Sequence, residues 1–73
     1  MSDIYARLGR TIYKARIRQC LSQYALASRA RVARMTVVRI ERGEPISAKS
    51  LEQIAAAVGL TVELCEANGQ RLG

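Results

Sequence analysis

An all-α fold of four to five short helices is what the sequence predicts, with one short strand near its end. Three observations predict it. Apolar residues recur three and four apart over most of the chain, as in Ile4, Leu8, Ile12 and Ala15. Serines precede such runs and glycines close them, which is the punctuation of capped helices. Only residues 60–66 abandon this spacing and alternate with period two.

The first helix is expected over residues 3–19, with Ser2 as its cap and Asp3 in its first turn, where a carboxylate suits the positive end of the helix dipole. Ile4, Leu8, Ile12 and Ala15 form its inner stripe. The second is expected over residues 23–30, capped by Ser22, with Leu26, Ala27 and Ala30 inward. The third is expected over residues 34–42, with Val37 and Ile40 inward and Gly43 as its stop. Glu44-Pro45-Ile46 is a loop, because proline has no N–H to continue a helix. The fourth helix should start after Ser47 or Lys49 and end at Val58, on a stripe of Leu51, Ile54, Ala55 and Val58, with Gly59 terminating it.

Residues 60–66 read as a strand rich in branched side chains. A lone strand leaves its backbone groups unpaired. Its copy in a second subunit is the simplest partner, with Leu60, Val62 and Leu64 as the strand's apolar side; a short fifth helix is the alternative. The chain thus divides into a helical domain over residues 1–59, a dimerisation strand over 60–66 and a loose tail over 67–73.

At 73 residues the chain is one small domain. Such a chain buries only about 60% of the surface its unfolded form exposes, and a second subunit often completes so small a core. There are two cysteines, Cys20 and Cys65, and no histidine. Neither cysteine has a metal-ligand spacing, so no metal or other cofactor is expected. Two free thiols, or a Cys20–Cys65 disulfide, are the alternatives; with no signal-peptide pattern, free thiols in the cytoplasm, at the nucleoid, are the expectation. No stretch is long enough for a membrane span. No base stands ready to activate a cysteine, no carboxylates pair inward and no glycine-rich loop cradles a phosphate, which argues against an enzyme.

The charge is lopsided. Ten of the twelve basic residues lie between Arg7 and Arg42, where Glu41 is the one acid. The same stretch holds two short helices in tandem, the run Leu21-Ser22-Gln23-Tyr24-Ala25-Leu26-Ala27 and the run Arg34 to Gly43. The gap between them allows only a tight turn. Two helices joined this way form a helix-turn-helix, which places its second helix in the major groove of DNA. A basic half that coincides with this motif is the footprint expected for a polyanion. A solvated basic face with no partner is the bland alternative.

From Leu8 to Leu64 the chain resembles the Cro/C1-type (xenobiotic-response-element) helix-turn-helix family, whose fold is lambda-repressor-like. The residues that carry the resemblance are Leu8-Gly9, Ile12, Arg16, Leu21-Ser22-Gln23, Leu26-Ala27, Val32, Val37, Arg39-Ile40-Glu41-Arg42-Gly43 and Ser50-Leu51 with Ile54-Ala55 and Ala57-Val58-Gly59. Within it, residues 59–68 are similar to the HipB-type antitoxins. That similarity implies a dimer with a strand paired between subunits, control of its own operon, and a HipA-like kinase toxin as partner. Four departures stand out: Arg31 replaces the glycine of the turn, Ala33 the small polar cap of the third helix and Cys20 the glycine ending the first, and Gly73 is reached without the longer HipB-type tail. A positive backbone angle at Arg31 would cost about 1 kcal/mol.

The resemblance implies that the third helix enters the groove. Arg34 and Arg39 then read bases, since arginine bonds both O6 and N7 of guanine; a phosphate contact is the alternative for each. Thr36 bonds a base or phosphate, or meets a thymine methyl. Met35 and Val38 offer apolar contact to that methyl or are partly buried against neighbouring helices. Gln23, at the first turn of the second helix, suits a phosphate oxygen. Arg42, Lys49 and Arg10 are candidate phosphate clamps. With six to ten phosphates held, affinity falls by about 10³–10⁵ between roughly 50 and 200 mM salt. The family's buried ion pair maps onto Arg16 and Glu41. Ile17 lies off the inner stripe, as a partner surface or as a scattered apolar residue.

These readings point to a dimeric, sequence-specific repressor on palindromic double-stranded DNA, with two recognition helices about 34 Å apart. A stand-alone phage-type or controller repressor is the alternative to an antitoxin. A protein-interaction module is a different class, disfavoured because charge is depleted at ordinary protein interfaces.

Overall fold

The structure, a computed structural model, describes residues 4–61. Four helices follow one another: α1 (Ile4–Arg18), α2 (Gln23–Ala30), α3 (Arg34–Glu41) and α4 (Ala48–Ala57). Ser2 and Asp3 of the expected first cap lie outside the described residues, as do Val62, Leu64 and the rest of the expected strand beyond Thr61. None of the described helices is long and apolar enough to cross a membrane.

The helix starts follow from side-chain chemistry. Ser22 Oγ accepts the Ala25 N–H at 2.9 Å, and Ser47 Oγ accepts the Ser50 N–H at 3.1 Å. Each satisfies one N–H that the first turn leaves without a partner. Ala33 has no such atom, and α3 begins without a side-chain cap.

All four helices end in the same way. In each, one residue turns left-handed and two N–H groups fold back onto the last turn, the double bond of a Schellman motif. For α1 these are Cys20 to Ile17 and Leu21 to Arg16; for α2, Arg31 to Ser28 and Val32 to Ala27. For α3 they are Gly43 to Ile40 and Glu44 to Arg39; for α4, Gly59 to Ala56 and Leu60 to Ala55. Two of the left-handed residues are the glycines Gly43 and Gly59, with φ of 82° and 80°. The other two are Cys20 at φ 59° and Arg31 at φ 60°. Both carry a Cβ in a conformation that strains L-residues. Cys20→Gly and Arg31→Gly are therefore each expected to stabilise the domain, by about 0.5–1 kcal/mol net of glycine's larger unfolded-state entropy. Thermal unfolding checks this, as a rise of roughly 2–8 °C in Tm per substitution.

The core draws on every helix. Ile12 of α1, Leu26 of α2, Val37 and Ile40 of α3, and Ile54 of α4 are all but completely buried. Each contributes about 1.5–3 kcal/mol relative to exposure. α3 lies centrally, with α1 and α2 both packed on it, while α2 also packs on α4. Ile4 is a correction to the inner stripe: it is 51% exposed. It occupies the first described turn of α1, at the rim of a shallow groove with Tyr5, Leu8, Ile46 and Ala48, where no further element among the described residues covers it. Periodicity names the face that turns inward but not where its cover ends.

Gly9 permits a close approach of α1 to the end of α3. A Cβ there would fall on the Ile40 carbonyl oxygen and come within 3.3 Å of the Glu41 Cα. Both are backbone atoms, so α1 would have to lift away from α3. Gly9→Ala is expected to destabilise by about 1–3 kcal/mol, even though alanine favours a helix by about 1 kcal/mol. A chemical-denaturation midpoint equal to or above the parent's would contradict this packing.

Candidate nucleic-acid interface

α2 and α3 are joined by Arg31, Val32 and Ala33, a three-residue turn. The left-handed Arg31 reverses the chain, and the half-buried Val32 packs against the core. Val37 and Ile40 anchor α3 from below, so its other face is presented to solvent. Arg34, Met35, Arg39 and Arg42 are exposed, with Met35 at 51%, while Thr36 and Val38 are half-buried. Arg34, Val38 and Arg42 follow one another four apart and form one row, beside Met35 and Arg39. Thr36 lies on the flank.

Beneath this face sits a buried ionic frame. Arg16 Nε donates to Glu41 Oε2 at 2.7 Å, and Arg16 Nη2 donates to Glu41 Oε1 at 2.9 Å. Arg16 Nη1 donates to the Leu21 carbonyl at 2.9 Å, which ties the pair to the α1–α2 turn. Both side chains are more than nine-tenths buried. The paired geometry uses the planar fork that arginine alone supplies. Glu41 holds the Arg16 guanidinium above its ordinary pKa range through this hydrogen bonding, against the opposing effect of desolvation. A raised folded-state pKa means that Arg16 contributes its full stability below the unfolded value and loses it only as pH climbs through the folded one. That window is strongly alkaline, so the frame is insensitive to Arg16 titration near neutrality. The Tyr13 ring lies against the same guanidinium, 5.3 Å from its carbon to the ring centre.

Gln23 stands at the start of α2, and its side chain is engaged within the protein. Its Nε2 donates to Glu41 Oε1 at 3.1 Å, joining α2 to the ionic frame. Its backbone N–H still opens the helix, where the dipole favours an anion. Gln23, Arg34, Met35, Val38 and Arg42 come together around one cavity of about 460 Å³, with Tyr13 and Glu41 completing its wall. Arg10 and Arg42 meet around a second cavity. Thr36, Arg39 and Lys49 line neither of these; Lys49 is exposed on the first turn of α4. Among the described residues, Arg10, Arg34, Arg39, Arg42 and Lys49 form no ion pair.

Leu60 is the one described residue of the expected apolar strand side. Its N–H closes α4 on the Ala55 carbonyl at 2.8 Å, and its side chain lines an apolar groove with Leu8, Ile12 and Leu51. Tyr13 was missing from the sequence-based set of interface residues. The signal that could have found it is its place three residues before Arg16, on the flank of α1 beside Arg10 and Lys14.

Two short helices, a tight turn and an outward row of arginines on the second helix, unpaired among the described residues, define a helix-turn-helix DNA-binding domain. The family model described as helix-turn-helix, of the Cro/C1 type, matches residues 12–65, most of the chain. The chain belongs to that family, and membership makes it a DNA-binding transcription regulator. No curated protein matches the chain.

Proposed function

We propose that the chain is a sequence-specific repressor that binds a palindromic operator as a homodimer, with one α3 in each of two successive major grooves. The observation that carries this is the exposed row on α3. Arg34, Met35, Val38 and Arg39 project from a helix fixed by the Arg16–Glu41 frame, with Arg42 at its C-cap, and among the described residues the three arginines form no ion pair. Arg34 and Arg39 read guanines, Met35 and Val38 meet thymine methyls, and Thr36 contributes from the flank. The Gln23 N–H, Arg10, Arg42 and Lys49 hold the backbone.

Dimerisation runs through residues 60–66, paired with their copy. The period-two pattern of Leu60, Val62 and Leu64 supports this. The similarity of residues 59–68 to HipB-type antitoxins supports a finer reading: a repressor of its own operon that also binds a HipA-like kinase toxin. Gel shifts with DNA from upstream of the gene test the repressor, and no salt-sensitive, sequence-dependent complex would defeat it. Co-expression with the neighbouring gene tests the antitoxin. A neighbour unlike a kinase, or one that forms no complex, leaves a stand-alone repressor.

A further inference from the structure

The cavity between α1 and the end of α3 has a chemistry of its own. Its volume is about 290 Å³, and its walls are Ala6, Arg10, Tyr13, Glu41, Arg42 and Gly43. Two arginines converge on it, Arg10 of α1 and Arg42 directly after α3, both exposed and without an ion pair among the described residues. Its one acid, Glu41, is already spent, because both carboxylate oxygens accept from Arg16. A helix C-terminus normally repels an anion. Here the last carbonyls of α3, on Val38, Arg39 and Ile40, already accept the N–H groups of Arg42, Gly43 and Glu44.

Tyr13 makes the site more than a pair of surface cations. Its ring rests on a guanidinium that three hydrogen bonds hold in place. It is 48% exposed, and its hydroxyl makes no hydrogen bond among the described residues. The same residue lines the neighbouring cavity under Arg34, Met35 and Val38. A DNA backbone lying along the exposed row of α3 therefore passes Tyr13 on its way to Arg10.

We infer that Arg10, Tyr13 and Arg42 form a single seat for one phosphodiester of the DNA backbone, with the two guanidinium groups and the phenol hydroxyl donating to its oxygens. This rests on the DNA-binding reading and deepens it. The seat joins α1 to the interface and sets the tilt of α3 against the groove.

The test uses the full chain and a fluorescein-labelled random-sequence duplex of about 24 base pairs, because phosphate contacts carry no sequence information. Binding is followed by anisotropy across a salt series. Each phosphate neutralised contributes about 0.9 to the slope of log K against log salt. The double variant Arg10→Gln/Arg42→Gln should flatten the slope by about 0.9, the value for one shared phosphate. A loss of about 1.8 would mean two separate phosphates and overturn the seat, as would an unchanged slope. Tyr13→Phe keeps the ring on Arg16 and removes only the hydroxyl. It should lower affinity about ten- to a hundredfold at every salt concentration with the slope unchanged, as expected for a lost hydrogen bond from a neutral donor to a charged oxygen; unchanged affinity overturns the role of the hydroxyl. Thermal melts of all variants should match the parent, since the substituted groups make no hydrogen bond or ion pair among the described residues. A parent chain that binds no duplex even at low salt would remove the DNA reading itself, an outcome distinct from the others.

Discussion

Glu41→Ala is expected to abolish cooperative folding of the domain or to lower its midpoint by roughly 10–40 °C. The substitution leaves Arg16 buried with a positive charge and no counter-ion, while its bond to the Leu21 carbonyl holds it in place. Losing one partner of a buried pair costs about 3–5 kcal/mol. A chain of 73 residues has roughly 4–11 kcal/mol of total stability, so this is a large share. The damage extends further, because Gln23 Nε2 loses its acceptor in the same step and the start of α2 loosens from α3. Glu41→Gln should be milder, since an amide oxygen still accepts one of the bonds. Far-UV circular dichroism melts decide the matter. A Glu41→Ala variant that melts within a degree or two of the parent would show that the frame does not hold the helices together.

The second large effect falls on binding rather than stability. Arg34→Ala and Arg39→Ala should each lower affinity for a selected specific duplex by about ten- to a hundredfold, as expected for the loss of a bidentate arginine–guanine contact. Their effects should add approximately if the two read separate base pairs. Neither side chain is buried or, among the described residues, paired, so stability should change by no more than about 0.5 kcal/mol. The informative comparison is between specific and random duplex. Loss confined to the specific duplex assigns the arginines to bases. Equal loss on both assigns them to phosphates instead.

Much of the fold was legible because it is written locally. Ser22 and Ser47 announce the starts of α2 and α4 by chemistry that acts within three residues. Gly43 and Gly59 announce ends in the same local way. Cys20 and Arg31 announce nothing by residue type; they are visible only as departures from a family pattern, yet both adopt the left-handed conformation. Ile4 was misplaced because a helical stripe does not say where its neighbour stops.

The site was less legible because it is assembled across distance. Gln23 looks like a phosphate ligand from its place at a helix start. The partner of its amide is decided by Glu41, 18 residues later. The crowding at Gly9 depends on where Ile40 lies, and no local pattern encodes that. Met35 and Val38 fit the same apolar role from sequence alone. Their environments then diverge: Met35 is half exposed, while Val38 is partly covered beside it.

Whether the outward row of α3 reads base pairs is decided by repeated selection of bound duplexes from a randomised pool, run in parallel on the parent chain and on Arg34→Ala/Arg39→Ala. The parent should enrich an inverted repeat with half-site centres about one helical turn apart, and the double variant should enrich none while still binding bulk duplex at low salt. Enrichment of the same sequence by both proteins would contradict base reading by that row.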